Sequence, residues 1–314
     1  MNCLPRTERA GRPLAIAEGL LVTIIWGSSF VFVKVGLRCM GPLTIAGLRY
    51  FIAFLVLLPL VAVRRRSSTS VPLPSRVWLR LLLIGLSAYV VGNGALFWGL
   101  KYLSATAGSF LMSLIPLPVL LLSSSWLREV PTPRQTVGGL IALAGSCVFF
   151  SPGLSSGEPL GIGITAVALI GFASFAILGR EIARDRQVKT LTLTAIPLGF
   201  GGGLLLLIAL LVEGVPGLPA AGWGLVVWLA IVNTALGYLL YNHSLQVLNA
   251  LEMNVLLNLT PLATALLAWV FLGEKLAIAE IVGMVVVIAG VLAVQWRDRG
   301  PLRPGGCEVE TTGG

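Results

Sequence analysis

Residues Lys101–Phe150 read KYLSATAGSFLMSLIPLPVLLLSSSWLREVPTPRQTVGGLIALAGSCVFF, and the chain says the same thing again between Gln246 and Gln295. At an offset of 145 residues, Leu103 meets Leu248, Ala105 meets Ala250 and Leu111 meets Leu256. Pro116 falls on Pro261, Leu127 on Leu272 and Glu129 on Glu274. Gly138 falls on Gly283, Ala144 on Ala289 and Gly145 on Gly290. The offset holds without a gap through two apolar segments and the polar turn between them. An internal repeat of this length fixes architecture more firmly than any single-residue motif.

The composition says where such a duplicate lives. Of the 314 residues, 56% are hydrophobic and only 11% charged, with a mean hydropathy of +0.93. Soluble domains carry about 25% charged residues. The apolar residues come in blocks of about 20, the length a helix needs to cross the hydrocarbon core of a bilayer. Ten such blocks follow one another, at about 14–36, 43–63, 77–98, 104–126, 134–150, 160–179, 191–212, 221–242, 247–272 and 276–294. The expected fold is therefore an all-α integral membrane protein of ten transmembrane helices. Its parts are a polar head at 1–13, a first repeat of five spans at 14–150 and a connector at 151–159. A second repeat of five spans at 160–295 and a polar Gly/Pro-rich tail at 296–314 follow.

Lys and Arg set the orientation. With the N-terminus in the cytoplasm, seventeen of the 22 fall in segments on the cytoplasmic side. Lys34, Arg38, Lys101 and Lys275 fall outside, and Arg49 lies within the second span. Such asymmetry is what membrane insertion produces, and it places both termini inside the cell. It also explains the net charge of +9 without a nucleic-acid partner. Cys3, Cys39, Cys147 and Cys307 form no Cys-x-x-Cys pair and His243 is the single histidine. A disulfide framework, a metal site and a cofactor are not expected. The run after Arg6, Arg9 and Arg12 is too long for a signal-peptide core and reads as a retained first span.

Five spans per half is an odd number, so the second half must lie upside down relative to the first. Inverted repeats of this kind belong to secondary transporters, with the substrate site near the midplane between the halves. The partners expected are thus a small-molecule substrate, the lipid bilayer and, for coupling, protons.

At this point the chain resembles the drug/metabolite transporter superfamily, in its ten-helix EamA-type branch. The resemblance covers about 15–294. It rests on Trp26-Gly27-Ser28-Ser29-Phe30 and Lys34, on Pro42 with Leu48-Arg49-Tyr50, and on Ala95 through Leu103 across the third turn. It closes on Pro116…Glu129 and Pro261…Gly273-Glu274-Lys275, each followed by a glycine-spaced helix. Where the family often has an acid before the second-half proline, this chain has Thr260. The resemblance implies a carrier of the cytoplasmic membrane. Bacterial relatives often export amino acids or related metabolites, and others move sugars, nucleobases or drugs.

Several residues could carry that chemistry. Pro116 and Pro261 remove a backbone hydrogen bond and favour a kink, either for packing or as hinges. Ser109 and Ser113 stand before Pro116 as Asn254 and Asn258 stand before Pro261. A spacing of four puts each pair on one helix face, to line a path or bond a neighbouring helix. Glu252 is an acid inside the ninth span, a candidate coupling group or an interfacial side chain reaching the headgroups. Arg49 could bind a carboxylate or serve structurally. Trp26, Ser28, Ser29, Asn93 and Tyr238 complete the substrate-cavity candidates, and Tyr241, Asn233 and Asn242 are further polar or aromatic choices. Trp98 reads as an interfacial anchor and His243 as a surface residue. Glu129 and Glu274 end the fourth and ninth spans, where each could cap the helix that follows. An enzyme would need paired acids with a base or a metal cluster, a channel would need pore-lining rings without an inverted repeat, and no ATP-binding Gly-x-x-x-x-Gly-Lys-Ser/Thr loop is present.

The topology is testable in cells. Alkaline phosphatase fused after Lys275 should be active, and the same enzyme fused after Arg186 inactive; the opposite activities would invert the orientation.

Overall fold

The computed structural model describes residues 6–66, 74–126, 132–152, 158–184, 190–244, 247, 253 and 256–295. Every regular element among them is helical: α1 (Arg6–Gly36), α2 (Pro42–Arg66), α3 (Ser75–Gly85), α4 (Gly94–Gly99), α5 (Ala105–Met112), α6 (Pro116–Trp126) and α7 (Pro133–Phe149). The second half supplies α8 (Glu158–Arg184), α9 (Thr190–Val212), α10 (Ala220–Trp228), α11 (Gly237–Ser244), α12 (Thr260–Leu272) and α13 (Ile278–Gln295). Two stretches of π-helix, Leu86–Asn93 and Leu229–Leu236, join α3 to α4 and α10 to α11. Each lies in the third span of its half.

Among the described residues, 7 helices are long and apolar enough to cross a membrane. The expected fifth, ninth and tenth spans are represented by the shorter α7, α12 and α13. The first span departs from expectation in its start: α1 begins at Arg6, well before the apolar run. The tail 296–314 and most of the connector between the halves lie outside the described residues.

The distribution of side chains is that of a protein solvated by lipid. Leu211 is 77% exposed, and Leu266, Trp269 and Phe271 also face outward. Arg49, Asn93, Asn233, Thr234 and Thr264 are buried. Lipid tails solvate leucine as well as a core does, so helices associate through close packing and polar contacts rather than through apolar burial.

Glycine provides the close packing. In α7 and α13, a Cβ on Gly145 would stand 2.8 Å from Val287 N, and one on Gly283 would stand 2.5 Å from Phe149 N. One on Gly290 would lie 2.5 Å from Ala142 N and 2.7 Å from Gly138 O. Partners therefore run in opposite directions along the two helices, an antiparallel crossing with backbones in contact. The second and seventh spans meet in the same way: a Cβ on Gly47 would lie 2.5 Å from Leu206 Cα, while Gly202 faces Tyr50 and Phe51.

The two prolines act more sharply than a kink. Pro116 and Pro261 stand at the starts of α6 and α12, so the fourth span is broken rather than bent. Pro116 cannot donate to Met112, and its ring crowds that carbonyl. The turn before it tightens accordingly, with Ser113 N, Leu114 N and Ile115 N bonded three residues back at 3.0, 3.1 and 3.2 Å. Leu259 N bonds to Leu256 O at 3.0 Å ahead of Pro261.

Because the backbones touch at Gly290, Gly290→Val should lower the thermal midpoint of the detergent-purified protein, by about 1–3 kcal/mol in stability. Gly163→Ala, which meets nothing within 4 Å, should leave it unchanged. Equal midpoints for wild type and Gly290→Val would contradict the crossing.

Candidate functional site

A buried guanidinium marks the centre of the bundle. Arg49 of α2 is 5% exposed. Its Nε donates to Thr234 Oγ1 at 2.7 Å, one terminal nitrogen to Ser29 Oγ at 2.5 Å, and the other to Asn233 O at 3.3 Å. All three acceptors are neutral, and no carboxylate among the described residues pairs with it. The Tyr50 and Phe97 rings lie 5.2 and 5.8 Å from the guanidinium carbon, close enough for their π faces to offset part of the cost of burying the charge.

The two π stretches supply the polar partners. A π turn widens the helix and shifts its bonding to carbonyls five residues back, an arrangement found mostly at functional sites. Asn93 Nδ2 donates to Ala88 O at 2.8 Å and Thr234 Oγ1 to Leu229 O at 3.0 Å, each at a separation of 5 residues. Asn93 Oδ1 then accepts from Tyr50 Oη at 2.5 Å. Asn233 Nδ2 donates to Ile25 O and, at 3.0 Å, to Ser28 Oγ. Asn233 Oδ1 is buried without a partner among the described residues. Tyr50 packs on Tyr89 at 5.0 Å between centroids, and Trp26 packs on Tyr238 and Tyr241 at 5.6 and 5.4 Å. Spans one, two, three and eight thus converge on one polar and aromatic centre.

Of the residues singled out in the sequence, Trp26, Ser28, Ser29, Arg49, Asn93, Asn233 and Tyr238 come together here. The serine pair before Pro116 does not join them. Ser109 Oγ donates to Thr106 O at 2.9 Å and Ser113 Oγ to Phe110 O at 2.6 Å, so both hydroxyls turn back on their own helix. Asn258 is buried in the turn before α12. Asn254, Glu129 and Glu252 lie outside the described residues, as does the side chain of Asn242.

Glu274 does cap a helix, but not the one that follows it. Its Oε1 accepts from Ala105 N at 2.9 Å, and its Oε2 accepts from Thr106 N at 3.3 Å and from Thr106 Oγ1 at 2.8 Å, all at the start of α5. The following helix α13 is served instead by Glu280, which accepts from Ala277 N at 2.6 Å. Gly273 makes the difference: at φ 71° it takes the left-handed conformation open to glycine and ends α12 abruptly. The sequence reading missed a second cap of the same form. Glu213 accepts from Leu43 N at 3.0 Å, from Thr44 N at 2.8 Å and from Thr44 Oγ1 at 2.7 Å. The signal was there: an acid ending an apolar block, and a threonine in the first turn of a helix at both Thr44 and Thr106.

Lys34 joins this end of the molecule, donating to Leu100 O at 2.8 Å and Leu103 O at 2.5 Å. With Arg38, Lys101 and Glu274 it lines a cavity of about 310 Å³. At the opposite end His243 is bonded rather than free, its Nδ1 2.8 Å from Glu18 Oε2. Ser244 Oγ donates to the same oxygen at 3.3 Å.

Comparisons with known proteins give the family of the chain. The model of the EamA-like transporter family matches residues 14–151 and 159–296. An uncharacterized transporter of Archaeoglobus fulgidus is 29% identical over 288 residues, covering 87% of this chain and 96% of its own. Protein PecM of Dickeya dadantii is 28% identical, covering 86% of this chain and 89% of its own. YedA of Escherichia coli, called an uncharacterized inner membrane transporter, is 26% identical, with 86% and 87% covered. A crystal structure of another protein superposes with a TM-score of 0.64 over 90% of this chain and 97% of that one, at 20% identity. That last likeness speaks for the fold alone.

Each acid cap joins helices from different halves. Glu274→Gln and Glu213→Gln should therefore each destabilise the purified protein by about 1 kcal/mol, the usual value of a charged cap. Thermal midpoints equal to wild type would show that neither charge matters.

Proposed function

Because the chain belongs to the EamA-like transporter family and is a multi-pass membrane protein, we propose that it is a secondary active transporter of the cytoplasmic membrane. It exports amino acids or related small metabolites by alternating access. The observation that carries this reading is the buried centre around Arg49, built by both halves where their helices leave α geometry. Polar groups in an apolar bundle are expensive, and they mark substrate or ion pathways.

The inverted arrangement of the halves has its own support. A two-fold axis in the membrane plane brings equivalent spans together antiparallel. The fifth and tenth spans meet that way, as do the second and seventh. Within the fifth–tenth pair, the repeat maps Gly145 onto Gly290 and Gly138 onto Gly283. The contacts join Gly145 to the Gly283 side and Gly138 to Gly290. Each glycine meets the counterpart of the other, as a two-fold operation requires. One fold held in two orientations has two inequivalent conformations, and exchanging them opens a central site first to one side and then to the other.

Counterflow tests the reading. Purified protein is reconstituted into liposomes loaded with one unlabelled amino acid at a time, and entry of the labelled amino acid is followed. Saturable, trans-stimulated uptake is expected for at least one. A response confined to sugars, nucleobases or drugs would overturn the cargo and keep the carrier, and silence across all of them would overturn the carrier. In the same liposomes Glu252→Gln should lose flux driven by a pH gradient while retaining counterflow; full gradient-driven flux would remove Glu252 from coupling.

A further inference from the structure

We propose that Arg49 and Asn233 form the recognition point for a substrate bearing one carboxylate and one hydrogen-bond donor, an inference that rests on the carrier reading above. The starting observation is a charge with no counter-charge among the described residues. A guanidinium has five N–H donors, and three of those on Arg49 are used among the described residues, each on a neutral oxygen. A second observation stands beside it. Asn233, whose own carbonyl is one of those three acceptors, is 0% exposed and keeps its side-chain oxygen unpartnered. A buried acceptor left unmade is costly, and native proteins seldom keep one without a use. The site thus offers a fixed positive charge with spare donors beside a spare acceptor.

Those are the complements of a carboxylate next to an ammonium, amine or hydroxyl. The charge balance selects among anions. One guanidinium neutralises one carboxylate, whereas a phosphate dianion would leave a buried negative charge uncompensated. Arg is also the side chain whose planar fork matches a carboxylate in two parallel bonds. In the conformation described here Ser29 and Thr234 hold the guanidinium. Their hydroxyls are the groups a carboxylate would displace, exchanging two neutral bonds for charge-assisted ones about twice as strong. The cavity at one end of the bundle has the same preference, since Lys34, Arg38 and Lys101 outnumber Glu274 on its walls.

The test separates recognition from a merely structural arginine. Thermal unfolding of the detergent-purified wild type is measured with each amino acid and with the matching carboxamide, which keeps the ammonium and side chain but loses the negative charge. At least one amino acid should raise the midpoint and its carboxamide should not. Arg49→Gln should lose the shift. Asn233→Asp should lose it too, because a second carboxylate at the site offsets the guanidinium and repels the carboxylate of the ligand. In counterflow, Arg49→Lys should raise the half-saturating concentration by about tenfold or more, the cost of losing a bidentate charged pair.

Carboxamides that stabilise as well as the acids would overturn the inference, as would a full shift retained in Asn233→Asp, or no shift from any acid. These failures are distinct from failure of the carrier reading. Wild-type counterflow that accepts acid and carboxamide alike keeps the carrier and removes the role of Arg49. Acid-specific stabilisation without counterflow keeps the recognition site and removes the carrier.

Discussion

A positive charge buried inside an apolar bundle must find its partners largely in the protein. Arg49 imposes that constraint here. The cost of an ionised group in low dielectric is several kcal/mol even after relaxation, and it is met by two hydroxyls, a main-chain carbonyl and two aromatic faces. Meeting it shapes three spans at once. The first must present Ser29, the third must present Phe97, and the eighth must open its backbone so that Thr234 and the Asn233 carbonyl both reach inward.

The π stretches are how the helices comply. An α-helix with all its bonds made has only the second lone pair of each carbonyl to give. Widening at Leu229–Leu236 frees the backbone and lets Thr234 take up the Leu229 carbonyl while still accepting from Arg49. The stretch at Leu86–Asn93 does the same for Asn93, which spends one end of its amide on Ala88 and the other on Tyr50. Making these bonds holds the centre in one geometry, and what they leave over among the described residues, Asn233 Oδ1 and two of the five Arg49 N–H donors, becomes informative because the surroundings are otherwise complete.

Much of this was legible in the sequence, for reasons of scale. Block length and charge placement report on the bilayer, which acts on whole spans, so the membrane class and the helical architecture follow from composition alone. Repeat matching reports on close packing: Gly138, Gly145, Gly283 and Gly290 stood out as a repeat before they were seen to form a crossing. Arg49, Ser29 and Asn233 were each visible as polar residues in apolar blocks, but nothing in their spacing joined Arg49 to residues about 185 positions away. The π stretches left no signal, since a wide turn depends on what the neighbouring helix presents rather than on local propensity. The caps failed in an instructive way. Glu274 was read as local because capping rules are written for neighbouring positions, yet its carboxylate serves a helix 169 residues away. Glu213 was passed over for the same reason.

Those long-range caps bear on how such a molecule would move. A carboxylate bonded to two successive N–H groups and a threonine hydroxyl ties one helix end to the end of another, as Glu274 does to α5 and Glu213 to α2. Both ties lie at the same end of the bundle as Lys34, which fixes the carbonyls closing the third span. The other end is tied by Glu18, which joins the first span to His243 and Ser244 of the eighth. Between the two sets of ties the helices are interrupted, at Pro116 and Pro261 by lost bonds and at the π stretches by widened ones. The ends are thus clasped by charge, and the middles are where the helices are interrupted. The interruptions in the third and eighth spans adjoin the Arg49 centre, so a change in what the guanidinium bonds to would act where the backbone is easiest to rearrange.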